Sequence, residues 1–155
     1  MKSKVLFFLT VFAFATTSIF AQKWSDAAID SLIAKMSIEE KVGQMTQIDL
    51  GVVAEGGICN LKQPQRIDIA KLQEAIGKYK IGSILNVGCG SGTISGPNWN
   101  VIHQTIIKEN KKTARLPIPI LYGIDAIHGA NYTKGATLFP QQIAQAATWN
   151  PALVE

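Results

Sequence analysis

Three short apolar runs, each leading into a polar or glycine-rich turn and separated by segments of helical period, constrain this chain more than any other feature. Met45 to Leu50, Ser83 to Val87 and Ile118 to Ile124 read as strands. Between them, Asp68 to Lys80 places Ile69, Leu72, Ile76 and Tyr79 on one helical face. Asn98 to Lys112 does the same with Val101, Ile102, Thr105, Ile106 and Glu109. Strand, loop, helix and strand at this spacing predict α/β architecture with a parallel sheet and outer helices. Right-handed crossovers should set the strands side by side in chain order. Two architectures satisfy this pattern: an open doubly wound sheet, or part of a (β/α) barrel.

The remaining segments fit the same scheme. Trp24 to Met36 carries Ile29, Leu32, Ile33 and Met36 at helical spacing. Ser37-Ile38-Glu39-Glu40 matches a capping box, so a helix should run from Ile38 to about Gln44. Glycine-rich loops are expected around Gly51, Gly56, Gly57 and Cys59, and from Gly88 to Pro97. Pro117 and Pro119 break the helix before the third strand, and Pro140 should open a last helix reaching Ala147.

Lys2 and Lys4 precede an apolar run from Val5 to Phe20 and a small residue at Ala21, the pattern of a secretory signal peptide over residues 1–21. Its removal would leave residues 22–155 and halve the formal charge of +4. The run is short for a membrane span, which takes ~20 residues. The membrane is therefore expected as a partner only during export, to the periplasm or beyond. Charge this low predicts no nucleic-acid partner. Lys108, Lys111, Lys112 and Arg115 fall at a helix end, where cations complement the helix dipole, and read as a solvated terminus. Export leaves two readings open for Cys59 and Cys89, a disulfide or two buried thiols. Neither has metal-ligand spacing, so no metal is expected.

Several chemistries fail on spacing. Gly88-Cys89-Gly90-Ser91-Gly92 follows a strand, but the dinucleotide fingerprint G-x-G-x-x-G is incomplete: Thr93 or Ser95 occupies the sixth position. No nucleotide cofactor is expected. His128 lies three residues after Asp125, yet the other histidine, His103, falls within a predicted helix. A zinc site needs three or four ligands. No G-x-S-x-G occurs to supply a nucleophile elbow. His128 reads as support, packed beneath its turn and fixing it by a hydrogen bond.

Asp125 is the chemical candidate. It follows a buried strand, between Gly123 and Gly129, which allow a ligand to come close. A carboxylate there can accept hydrogen bonds from two adjacent hydroxyls, or it can cap the turn that follows. Both readings stand on the residues alone.

Gly123-Ile124-Asp125-Ala126-Ile127-His128-Gly129, Gly135-Ala136-Thr137-Leu138-Phe139-Pro140 and Ala147-Thr148-Trp149-Asn150-Pro151 resemble the N-terminal domain of glycoside hydrolase family 3. The likeness is to its bacterial β-glucosidases and exo-glucan hydrolases. Met36 to Met45 and Ile81 to Leu85 extend it over everything after the signal segment. The resemblance implies a TIM-like (β/α)8 barrel, here incomplete because such a barrel takes ~250 residues. It implies a retaining mechanism with an Asp nucleophile and an acid/base, both expected beyond Glu155. No catalytic residue is therefore expected in this chain, and alone it should be inactive. Asp125 would bind the terminal glucosyl unit, with His128 and Gly129 in support. Ala126-Ile127-His128-Gly129 replaces the Gln-Glu-Gly-Gly-like sequence of N-acetylglucosaminidases, so a β-glucoside or gluco-oligosaccharide is the implied substrate. The alternative is a non-catalytic carbohydrate-binding or interaction remnant. Three strands alone should also leave an unpaired edge and an uncovered apolar face.

Overall fold

A computed structural model describes residues 24–58, 64–86 and 94–154. The signal segment, Cys59, Cys89 and Gly88 to Gly92 lie outside the described residues. Six α-helices and three strands follow in the order α1 (Asp26–Ala34), α2 (Ile38–Gln44), β1 (Gln47–Asp49), α3 (Leu50–Val53), α4 (Ile69–Gly77), β2 (Ser83–Leu85), α5 (Gly96–Thr113), β3 (Leu121–Gly123) and α6 (Gln142–Ala146). A 3-10 turn at Pro151–Leu153 comes last. Among the described residues no helix is long and apolar enough to cross a membrane.

The sheet is parallel, in the order β1-β2-β3 expected of successive right-handed crossovers. Its register aligns Gln47, Ser83 and Leu121, then Ile48, Ile84 and Tyr122, then Asp49, Leu85 and Gly123. Side chains alternate across a strand. The middle row therefore faces the core, where Ile84 is wholly buried among Leu72, Ile76, Ile102 and Ile106 of α4 and α5. Both crossover helices thus cover one side of the sheet. The other side carries Gln47 and Leu121, both exposed, and half-buried Asp49, Ser83 and Leu85; it is largely polar, rather than the apolar face expected.

Several boundaries depart from the sequence expectation for local reasons. The loop expected after β1 begins as a helix, α3, because the Asp49 carboxylate accepts the Gly51 N–H at 2.7 Å while Leu50 and Val53 enter the core one turn apart. In α4 the buried residues are Leu72, Ala75 and Ile76. Ile69, the first residue of the helix, is exposed, and so is Tyr79, which falls past the helix end at Gly77, just before Lys80 turns left-handed at φ +57°. α5 starts at Gly96, earlier than expected, because Ser95 caps the Asn98 N–H and Pro97 fits the first turn. Its Val101 is exposed, whereas Asn110 is buried and donates to the Ile118 carbonyl at 2.8 Å. That bond and the flanking prolines hold Ile118 out of β3, which shrinks to three residues. Pro140 lies before α6 rather than in its first turn.

The capping box at Ser37 is complete: its hydroxyl accepts the Glu40 N–H and the Glu40 carboxylate accepts the Ser37 N–H. Arg115 corrects the expected solvated cluster. Its guanidinium donates to both oxygens of buried Glu40, at 2.8 and 2.5 Å, and to the Lys35 carbonyl. Arg115 first, and the Ser37 N–H second, hold the Glu40 carboxyl down to about 2. A carboxylate depressed on folding stabilises the fold above its unfolded pKa and loses that contribution as pH falls through the folded one. The thermal midpoint should therefore drop between about pH 4.5 and pH 2. Arg115→Ala should lower the midpoint at neutral pH and flatten that dependence; a variant with the same slope as the parent would remove Glu40 as its source.

Candidate functional site

The carboxyl-terminal edge of a parallel sheet is where loops gather polar groups around a ligand. Three such residues stand there: Asp49 ends β1, Asn86 follows β2, and Asp125 follows β3. Asp49 is engaged in capping α3. Asp125 is exposed, and among the described residues its carboxylate takes part in no hydrogen bond or ion pair. It does not cap the turn after it, which is closed by the backbone through the Gly129 N–H and the Ala126 carbonyl at 3.0 Å.

The Asp125 backbone, by contrast, is fixed. Its N–H donates to the Asn86 side-chain oxygen at 2.6 Å. Asn86 itself has φ +53°, a left-handed conformation that Asn tolerates. The sequence carried no signal for it, since Asn86 falls inside the strand expected over Ser83 to Val87, and only the structure ends β2 at Leu85.

His128 and Phe139 clasp the two ends of the following loop. The Phe139 N–H donates to the His128 carbonyl at 3.0 Å, and His128 Nδ1 lies 2.9 Å from the Phe139 carbonyl. Gly129 follows with φ +75°, and a Cβ there would meet the Phe139 ring at 2.7 Å. Glycine is required on both counts. Gly123, expected to leave room for a ligand, packs instead beside the Leu85 side chain, 3.3 Å from where its Cβ would stand.

Within the loop, residues 130–134 are stitched to the start of α5. Ile94 donates to the Tyr132 carbonyl at 2.7 Å and accepts from Lys134 at 2.9 Å. The Trp99 indole N–H donates to the Thr133 hydroxyl at 2.9 Å. His103 packs in tilted contact with two rings, 5.6 Å from Trp99 and 4.8 Å from Tyr122. The Tyr122 hydroxyl donates to the Asn86 carbonyl at 2.5 Å. Burial, then the charge of Asp49, pushes that phenol above its ordinary range, so it stays a donor. Among the described residues no three His, Cys, Asp or Glu side chains come together as a metal site. The arrangement offers one unengaged carboxylate on an anchored main chain, suited to accepting hydrogen bonds from a hydroxylated ligand.

Residues 37–155 match the family model described as Glycosyl hydrolase family 3 N terminal domain. Among curated proteins, the chain is 38% identical over 135 residues to "Lysosomal beta glucosidase" of Dictyostelium discoideum, an alignment covering 81% of this chain and 15% of that protein. It is 36% identical over 128 residues to "Putative beta-xylosidase" of Formosa agariphila, covering 81% of this chain and 16% of that protein.

Proposed function

The chain belongs to glycoside hydrolase family 3 through its N-terminal domain, and on that premise we propose that it forms the amino-terminal part of an exported, retaining β-glucosidase acting on terminal non-reducing β-D-glucosyl residues. The observation that carries the proposal is Asp125: its carboxylate is exposed at the carboxyl end of β3 and engaged with nothing among the described residues, while its main chain is held by Asn86. An ionised carboxylate offers acceptor sites for two neighbouring sugar hydroxyls at once.

The family match supports a (β/α)8 barrel, and the sheet is compatible with the start of one. Both crossover helices lie on one face and the described strands follow one another in chain order, an arrangement that one half of a doubly wound sheet shares. The apolar run and lysines before Ala21 support export. A retaining glycosidase places two carboxyl groups about 5 Å apart across the bond it cleaves. Asp49 and Asp125 are the carboxylates that end or follow described strands, and Asp49 already caps α3. We assign the nucleophile and acid/base to residues after Glu155, so the 155-residue chain alone should not turn over substrate.

Aryl β-glycosides test this directly. The hydrolase polypeptide should show kcat/KM on the β-glucoside at least about tenfold above the β-xyloside, the discrimination expected from one added hydroxymethyl contact. It should leave the N-acetyl-β-glucosaminide essentially untouched. Preference for the xyloside would overturn glucose as the substrate. Turnover by the isolated chain would overturn the placement of the catalytic pair.

A further inference from the structure

Asn86 makes three bonds to the end of β3, through its backbone N–H, its backbone carbonyl and its side-chain oxygen. Its N–H donates to the Gly123 carbonyl at 2.9 Å, its carbonyl accepts the Tyr122 hydroxyl at 2.5 Å, and its side-chain oxygen accepts the Asp125 N–H at 2.6 Å. The ladder between β2 and β3 stops at the Leu85–Gly123 pair. Asn86 itself is left-handed, at φ +53°, and its backbone carbonyl accepts the Tyr122 hydroxyl rather than the Asp125 N–H that a continued ladder would have brought to it. The Asn86 side chain stands in for that carbonyl. Its own backbone is anchored through Tyr122, whose ring lies 5.6 Å from Trp99 on α5 at an edge-on angle of 82°. The carboxylate of Asp125 is thereby carried on a main chain tied to both a neighbouring strand and a helix.

We propose that Asn86 is a positioning residue for Asp125, aiming its carboxylate at the sugar by holding its N–H. This rests on the reading of Asp125 as the sugar-binding group. Other residues could adopt the backbone turn, glycine above all, but glycine lacks the acceptor. Asn86→Gly therefore separates the side chain's role from the turn's. Asn86→Asp keeps an acceptor oxygen and tolerates the left-handed conformation.

The experiment has two arms. In the hydrolase, Asn86→Gly should lower kcat/KM on the aryl β-glucoside about tenfold, the upper range for one hydrogen bond. In an Asp125→Ala background the same change should have no further effect. Parent-like kcat/KM in Asn86→Gly overturns the proposal. So does a full tenfold loss in both backgrounds, which is what a merely structural role would give.

The second arm uses amide hydrogen exchange in the chain itself. The Asp125 amide should exchange about tenfold faster in Asn86→Gly and stay protected in Asn86→Asp. Unchanged exchange in Asn86→Gly, or equally fast exchange in Asn86→Asp, overturns Asn86's hold on Asp125 whatever the kinetics show. Parent-like activity of Asp125→Ala alone would instead bring down the sugar-binding reading, even with the exchange result intact.

Discussion

Asp125→Ala is expected to lower kcat/KM of the hydrolase on an aryl β-glucoside by about 10²- to 10⁴-fold while leaving its thermal midpoint within a degree or two. Hydrogen bonds to a charged group are worth about 1.5–3 kcal/mol each, and a carboxylate gripping two adjacent hydroxyls makes two. If the contact tightens as the ring distorts, the loss appears in kcat as well as KM. Stability should be spared because the Asp125 carboxylate has no bond within the described fold to lose. Asp125→Asn keeps the shape and one acceptor and should fall between parent and alanine variant. Kinetics for all three proteins, beside their melting curves, check this. An alanine variant within tenfold of the parent would remove Asp125 from the substrate site.

The largest effect on folding is expected from Gly82→Ala and Gly43→Ala. A Cβ on Gly82 would stand 2.3 Å from the Gln44 carbonyl oxygen and 2.7 Å from its Cα. One on Gly43 would stand 2.3 Å from the Lys80 oxygen. In both cases the obstacle is backbone, which cannot swing aside as a side-chain tip can. The end of α2 and the connection into β2 touch main chain to main chain, and the Thr46 carbonyl accepts from both Gly82 and Ser83 across that contact. Overpacking a site with no room costs about 1–3 kcal/mol, and more where main chain must move. Each variant should therefore lose about 3 kcal/mol or more, a large part of the ~5–15 kcal/mol of a typical domain. Urea unfolding of the chain measures it. Gly96→Ala is the matched control, since nothing lies within 4 Å of its added carbon; equal losses at positions 82 and 96 would dismiss close approach as the cause.

These outcomes show which parts of the molecule were legible in the sequence. Apolar spacing located the three described strands and the longer helices α4 and α5 between them, because burial on one face writes its period into neighbouring residues. The Ser37–Glu40 cap was legible because both its bonds close within three residues. Spacing could not say where α4 stops: Tyr79 shares the period of Leu72 and Ile76 but falls past the helix end, before the left-handed Lys80. α3 was hidden because four residues are too few to display a period, and its start depends on a single side-chain bond from Asp49. Asp125 was legible as the polar residue ending an apolar run. Asn86 was not, because its partners Tyr122, Gly123 and Asp125 lie more than 35 residues away and meet it only once β3 has paired with β2. Arg115 was misassigned for the same reason: its charge suggested solvent, and its partner Glu40 lies 75 residues earlier.

That separation gives Glu40 a place in the order of folding. Its bond to Ser37 closes over three residues and can form as soon as α2 does, before any strand has paired. The Arg115 bond needs a loop of 75 residues to close, and distant contacts come after the chain entropy of closure has been spent. If the Arg115 contact forms after the transition state, Arg115→Ala speeds unfolding and leaves the folding rate nearly alone, which unfolding and refolding kinetics measure. Glu40 thus closes the cap of α2 locally and, through Arg115, ties that helix to the segment after α5.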